Sequence, residues 1–239
     1  MILLRSLLFN AWFFAITAVL SVTGAVGASV APRVALPIAR LWARLILGGL
    51  RHICGIGWEV RGLEHLPATG PALLASRHQS AFDTLIWLLL LPRCTYVAKR
   101  ELLRIPLFGR VIRLAGQIAV DRTGGATALR ALARDTNAAA QAGRQIIIFP
   151  EGTRAEPGRP LPLQPGIAAV AARTGLPVVP VVTDSGLRWG RRAFRKRPGL
   201  IHITLLPPVL PPAVGEPGAR GRFLQRLTEA LEADAERCG

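Results

Sequence analysis

The chain is short of several things at once. Its 239 residues include three cysteines, one methionine, one tyrosine and 6% aromatics, and 14 acidic residues stand against 30 basic ones. Cys54, Cys94 and Cys238 are spaced neither as metal ligands nor as a redox pair, and they build no disulfide framework. Such thiols point to a reducing compartment or to inert side chains, and no metal is expected. Lysine is nearly missing: Lys99 and Lys196 are the only two, and arginine supplies the remaining positive charge. No internal repeat and no low-complexity linker interrupts the chain. The net charge of +16 comes without a helix-turn-helix, zinc or aromatic RNA-binding pattern, so nucleic acid is not expected as a partner. An anionic membrane surface is the other polyanion that such a charge attracts. A G-x-S-x-G elbow is also missing, which speaks against a serine hydrolase exported by the N-terminal segment.

What the chain does have is apolar residues, 51% of the total. That excludes a disordered chain, which could not offset its ordering entropy by burial. Residues 6–32 carry no charge. As a helix they would extend roughly 40 Å, more than the ~30 Å hydrocarbon core of a bilayer. Three readings fit this run: a spanning helix, one arm of a membrane-embedded hairpin, and a cleaved signal peptide with Arg5 before it and Val26-Gly27-Ala28 as its cleavage site. In the next segment, 38–53, Arg40, Arg44 and Arg51 fall on one helical side. Leu41, Trp42, Leu45, Ile46 and Leu50 fall on the other, with Leu47 out of place. This is the pattern of an amphipathic helix in a membrane interface, or of one packed on a domain core. Positive charge flanks the apolar run on both sides, which a shallow hairpin with both ends in the cytoplasm satisfies. Residues 1–56 are therefore expected to be membrane-attachment helices.

From residue 57 to 239 short apolar runs alternate with helical stretches. Strands are expected at 58–63, 71–75, 95–98, 117–120, 145–149, 177–182 and 200–206. Helices are expected at 80–91, near 106–114, and at 126–142, 165–173 and 220–236. The fold class is α/β: a mixed central sheet flanked by helices, with an N-terminal membrane-embedding helical segment.

Three segments carry candidate chemistry. In His78-Gln79-Ser80-Ala81-Phe82-Asp83, a strand end delivers a histidine and the following helix brings back a carboxylate. Asp83 could orient His78, whose free nitrogen would take a proton from a hydroxyl. The same spacing, Ser80-x-x-Asp83, is that of a capping box. In Phe149-Pro150-Glu151-Gly152-Thr153-Arg154, a loop beyond a buried strand offers close backbone approach at Gly152 and a guanidinium fork suited to phosphate, or else a plain turn. Lys99 and Arg100, with Asp121-Arg122 after another strand, could surround an anion or form a surface charge cluster.

Together HQSAFD (78–83), KREL…P.FG (99–109), GQIAVDR (116–122), FPEGTR (149–154) and LPVVPVV (176–182) resemble the 1-acyl-sn-glycerol-3-phosphate acyltransferases and related glycerolipid acyltransferases. They stand in that family's order and cover roughly residues 58–205. The resemblance implies His78 as general base and Asp83 as its orienter. It implies an acceptor-lipid site of Lys99, Arg100, Glu151, Gly152, Thr153 and Arg154, with Arg154 and Lys99 on the phosphate and Pro180 in the fourth motif. The implied partners are a lysophospholipid acceptor, acyl-CoA or acyl carrier protein as thioester donor, and membrane lipids, with no separate cofactor. The implied location is the inner membrane, with the site on the cytoplasmic face. Other acceptors, such as a lyso-ornithine lipid or glycerol 3-phosphate, would be attacked in the same way. A non-catalytic protein that binds anionic membrane is the alternative from another class. Two departures are visible: Asp184-Ser185-Gly186 stands where many members begin with asparagine, and 188–197 (RWGRRAFRKR) is unusually basic.

Overall fold

The computed structural model describes residues 1–121 and 124–233. Two long helices come first, α1 (Ile2–Val30) and α2 (Ala35–Cys54). They lie antiparallel as a hairpin. Trp12 Nε1 donates to Leu45 O at 3.0 Å, and Trp42 Nε1 donates to Thr17 Oγ1 at 3.0 Å. Near the bend Gly24 of α1 lets Ile38 of α2 and a residue of a later helix, Val111, approach closely: a Cβ there would stand 3.1 Å from a methyl of each. Gly55, at φ +67, ends α2 in a left-handed turn that returns its N–H to the helix carbonyls. By length and composition α1 could cross a membrane, and most of its large apolar side chains are exposed, among them Leu3, Leu4, Phe14, Val19 and Val26.

The domain that follows is a seven-stranded sheet in the order β1-β7-β6-β2-β5-β3-β4. The strands are β1 (Ile56–Arg61), β2 (Ala72–Ser76), β3 (Cys94–Lys99), β4 (Ile118–Val120), β5 (Gln145–Ile148), β6 (Val178–Thr183) and β7 (Gly199–Leu205). Neighbours are parallel except β6 and β7, so β1 and β7 run against the other five. The mixed sheet expected from the sequence is thus present. Each expected strand and helix is found, shifted by a residue or two at the ends. The expected closing helix is described as Ala219–Ala233, and the rest of it lies outside the described residues.

Alternation along the strands divides the interior into two cores, as the two-residue period of a strand requires. Leu74 and Ile147 face one side, with Phe9, Ile46, Leu47, Leu50, Phe82 and Trp87. Leu73, Ala75, Ile146 and Ile148 face the other, with Ile167, Val170, Phe223, Leu227 and Leu231. The first core is covered by α1, α2 and α3 (Phe82–Leu90), with α4 (Phe108–Leu114) against α1 and α2, and the second by α5 (Gly125–Gln141), α6 (Gly166–Thr174) and, after the short α7 (Ser185–Arg188), α8 (Ala219–Ala233).

The packing of α2 corrects one expectation. Leu47, the residue out of pattern, is fully buried, while Leu41 is 41% exposed. Arg40 does not face headgroups: its guanidinium donates to Leu88 O at 3.1 Å and Leu91 O at 2.7 Å, binding the carbonyl end of α3. The helix covers the sheet with the face that simple angular placement left mixed. Residues 1–56 therefore share a core with the domain that follows them. The N-terminal end of α1 is fixed as well, since Phe9 is fully buried and meets Trp189 edge-on at 5.3 Å between ring centroids. That packing favours the hairpin among the three readings of the apolar run.

Candidate active site

Parallel strands deliver their following loops to one edge, and the site forms there. Beyond β2 comes His78, beyond β5 the loop 149–154, and at the end of β3 Lys99 and Arg100. With β2 beside β5 and β5 beside β3, three segments far apart in sequence become neighbours.

His78 follows the buried strand Ala72–Ser76, and its Nδ1 stands 3.1 Å from Asp83 Oδ2. The same oxygen accepts the N–H groups of Gln79 at 2.7 Å and Ser80 at 2.8 Å. An oxygen that takes two backbone donors is a carboxylate, so the hydrogen toward it belongs to His78 Nδ1. Nε2 is left as the acceptor. Arg154 Nε, which can only donate, lies 3.4 Å from it, in agreement with that tautomer. Phe149 stacks on the imidazole at 4.1 Å between centroids and 22° between planes, which fixes the ring's tilt.

The capping contacts of Ser80 and Asp83 and the contact of Asp83 with His78 coexist in one arrangement. Asp83 caps the N–H of Ser80 and holds His78 at once, while Ser80 Oγ accepts the N–H of Phe82 at 3.1 Å. Asp83 is 3% exposed, in the first turn of α3, where the helix dipole favours a carboxylate.

The loop beyond β5 opens with a turn closed by Gly152 N–H on Phe149 O at 3.0 Å, with Pro150 at its second position. Gly152 takes φ +74, where a side chain would be strained. Gly152, Thr153 and Arg154 are half-buried along the edge, open to a ligand. Burial pulls the Arg154 guanidinium down from its ordinary value, and neighbouring Arg191 adds to this while Asp83 opposes it. An anion beside it would offset the desolvation.

Glu151 is placed differently from the expectation. Its side chain is fully buried and both oxygens are taken, Oε1 by Arg77 Nη1 at 2.7 Å and Oε2 by the His78 N–H at 3.1 Å. It cannot touch an acceptor lipid directly. It ties the loop beyond β5 to the residues that carry the histidine, helped by the Ala155 N–H on His78 O at 2.7 Å. Arg77, its partner, was missed in the sequence. The available signal was an arginine at the end of a wholly buried strand, a place that requires a buried acid.

Lys99 and Arg100 are exposed at the end of β3. Arg100 lies 3.4 Å from Asp121, so the expected meeting of these segments takes place; Arg122 lies outside the described residues. On the far side of His78, Gln79 Oε1 accepts the Gly186 N–H at 3.1 Å, and Arg191 Nη1 donates to Arg154 O at 3.4 Å. These contacts bring the basic stretch 188–197 to the site. Asp184 pairs with His202, Oδ2 to Nδ1 at 2.9 Å, and accepts the His202 N–H at 2.7 Å. A histidine–aspartate pair alone therefore does not mark a site. His78 differs in having Arg154 at its second nitrogen and a glycine turn beside it. Among the described residues no group of three or more histidines, cysteines or carboxylates stands together as a metal-ligand set.

The chain is similar to known proteins in sequence and in fold. A family model described as Acyltransferase matches residues 57–184. A 1-acyl-sn-glycerol-3-phosphate acyltransferase of Pseudomonas aeruginosa is 34% identical over 196 residues, 82% of this chain and 74% of that one. A protein of the same name from Limnanthes alba is 33% identical over 180 residues, 74% of this chain and 63% of that one. The alpha form from Mus musculus is 35% identical over 169 residues, 70% of this chain and 59% of that one. The chain thus spans about three quarters of the bacterial relative and less than two thirds of the plant and mouse proteins. The crystal structure of the 1-acyl-sn-glycerophosphate (LPA) acyltransferase PlsC from Thermotoga maritima shares the fold, with a TM-score of 0.78, 22% identity, and coverage of 99% of this chain and 97% of that one.

Proposed function

The chain belongs to the acyltransferase family, and on that premise we propose that it transfers a fatty acyl group from a thioester to the free sn-2 hydroxyl of 1-acyl-glycerol-3-phosphate, giving phosphatidic acid. The observation that carries this reading is the orientation of His78 by Asp83, which leaves Nε2 turned away as an acceptor. Asp83 holds the opposite nitrogen, and Arg154 stands beside Nε2 at 3.4 Å.

In the reaction the acceptor hydroxyl lies against Nε2. As its oxygen attacks the thioester carbonyl carbon, Nε2 takes the proton, and Asp83 stabilises the imidazolium. The tetrahedral intermediate collapses with cleavage of the C–S bond, and the imidazolium returns the proton to the departing thiolate. No enzyme nucleophile is needed. General acid–base help of this kind contributes about 10²–10⁴-fold, and the remainder comes from holding two substrates together. Arg154 supplies a fork for the acceptor phosphate, and Lys99 a second cation. Glu151 and Arg77 position the base from beneath.

The donor in this reading is acyl-CoA or acyl carrier protein. The location is the inner membrane with the site on the cytoplasmic face, supported by the α1–α2 hairpin, whose exposed apolar side chains suit a lipid interface. The test is acyl transfer to lysophosphatidic acid by purified protein in detergent. Wild type should form phosphatidic acid, and His78→Ala should lose the activity by orders of magnitude. A wild type inactive with both donors would overturn the acceptor assignment.

A further inference from the structure

Both substrates of the proposed reaction are anionic, and His78 has cationic groups on two sides. Arg154 stands at Nε2, and Lys99 and Arg100 stand at the end of β3. On the β6–β7 side stands the segment from Ser185 to Leu200, which contains no acidic residue. Its five arginines, 188, 191, 192, 195 and 197, form no ion pair with any described carboxylate. A concentration of uncompensated arginine needs an anion from outside the chain.

This segment borders an open cavity of about 470 Å³. Pro157, Leu187 and Phe194 give it apolar walls, and Arg188, Arg195 and Arg197 give it charge. Arg188 is committed to the wall, donating to Leu200 O at 3.2 Å. Arg195 and Arg197 are exposed and have no side-chain hydrogen bond among the described residues. Phe194 is 49% exposed, and the nearest cation to its ring is Lys196, 5.8 Å from the centroid. Gly186, on the rim, is the residue whose N–H binds Gln79, next to the catalytic histidine. An open aromatic face beside two free guanidinium forks suits a purine that carries phosphates.

We propose that this cavity binds the nucleoside polyphosphate end of the thioester donor, with Phe194 against the base and Arg195 and Arg197 on the phosphates. The inference rests on the acyl-transfer reading of His78. The strand order supports the division of labour. His78, beyond β2, lies between β6 and β5; the cavity lies on the β6 side, while Arg154 stands at Nε2 with its carbonyl reached by Arg191, so the donor's phosphates and the acceptor's phosphate meet separate arginines. The thioester carbonyl then meets the acceptor hydroxyl at Nε2. A concave, aromatic-walled cavity favours a nucleotide over the broad acidic surface of a carrier protein.

The experiment uses full-length protein in detergent and adenosine 3′,5′-bisphosphate as probe. Wild type should bind it in calorimetry, and it should inhibit competitively against acyl-CoA but not against lysophosphatidic acid. In Arg195→Ala/Arg197→Ala the KM for acyl-CoA should rise about tenfold or more, as loss of charge-assisted hydrogen bonds implies, with little change in KM for lysophosphatidic acid. The loss should be specific to the nucleotide, so the ratio of kcat/KM for acyl-CoA to that for acyl-pantetheine should fall by the same factor. Arg195→Lys/Arg197→Lys should restore part of it. Failure of wild type to bind the bisphosphate would overturn the proposal. So would an equal loss with acyl-pantetheine, a rise confined to the KM for lysophosphatidic acid, or lost sedimentation with anionic vesicles at unchanged KM values. Failure of the acyl-transfer reading would look different: wild type would bind the bisphosphate yet acylate nothing.

Discussion

Lys196 Nζ donates to Asn10 Oδ1 at 2.6 Å, joining the basic segment beside the active site to the N-terminal helix. The ammonium is buried between three aromatic rings, Phe9 and Trp189 each at 5.6 Å and Phe194 at 5.8 Å. It also donates to Ala193 O and Phe194 O, and its backbone N–H binds Ser6 Oγ at 2.9 Å. Lys196→Met keeps the stem and removes the donor, leaving buried acceptors unpaired at about 1–3 kcal/mol each. Thermal unfolding in detergent should move down by about 2–4 °C per kcal/mol for a chain of this size. Asn10→Ala should cost less, and the double variant should cost less than the sum of the two. Strict additivity would show that the contact does not couple helix and domain.

Asp83 serves the helix and the histidine, and substitution can separate the two duties. Ser80→Ala removes one cap bond, that from the Phe82 N–H, and should cost ~1 kcal/mol of stability with kcat nearly intact. Asp83→Asn keeps the shape but loses the charge that favours the imidazolium. It should lower kcat by about 10²-fold or more while KM for the acceptor changes little. If Ser80→Ala lost kcat as severely, the aspartate's effect would have to be assigned to the cap.

The architecture was legible because it rests on contiguous patterns. The β-branched run at 145–149 and the apolar run at 176–182 announce buried strands, and the three site segments each follow a strand end. What was not legible is pairing across distance. Arg77 and Glu151 are 74 residues apart, and Arg40 reaches carbonyls 48 and 51 residues away. In a sequence Glu151 looks like a ligand-facing acid beside Arg154. Only the fold shows its oxygens already taken. Leu47 looks like a fault in an amphipathic pattern, yet α2 is covered on two sides, by α1 and by the sheet, and has a wider buried face than a surface helix.

Burial pushes the Cys94 thiol up to about 12 from its ordinary value near 9.0. The folded chain thus holds a proton there that the unfolded chain releases. By linkage, the stability this group contributes is complete below pH 9 and falls as pH rises toward 12, by up to ~1.4 kcal/mol per pH unit. Cys94→Ala should lose more stability at pH 8 than at pH 10.5, with the gap narrowing as the thiol's share disappears. Equal gaps at both values would contradict the assignment. The thiolate is the reactive form, so Cys94 should also resist alkylation at pH 8 until the protein unfolds, as peptide mapping would show.

Arg154 lies 3.4 Å from His78 Nε2 and, in the proposed reaction, holds the acceptor phosphate. Arg154→Ala should raise KM for lysophosphatidic acid by about tenfold or more, since a charge-assisted contact is lost. With 1-acylglycerol, which has no phosphate, the same change should have a much smaller effect. A loss of the same size on both acceptors would move Arg154 from the phosphate to the chemistry.

The Arg77–Glu151 pair tests whether a buried ion pair here supplies stability or position. The side chains are 7% and 0% exposed and 2.7 Å apart. Removing one partner strands the other charge, so Arg77→Met and Glu151→Leu alone should each cost about 3–5 kcal/mol. The double variant should recover much of that loss, because an apolar pair of similar volume fills the same space without desolvating charge. It should not recover activity. Glu151 also accepts the His78 N–H at 3.1 Å, and leucine cannot replace that acceptor, so the base is no longer held against Asp83 and Arg154. The expected pattern is restored thermal stability with kcat still reduced and the KM values for donor and acceptor little changed. A double variant that was both stable and fully active would show that the strand ends alone place the histidine, and that the ion pair only fills the interior.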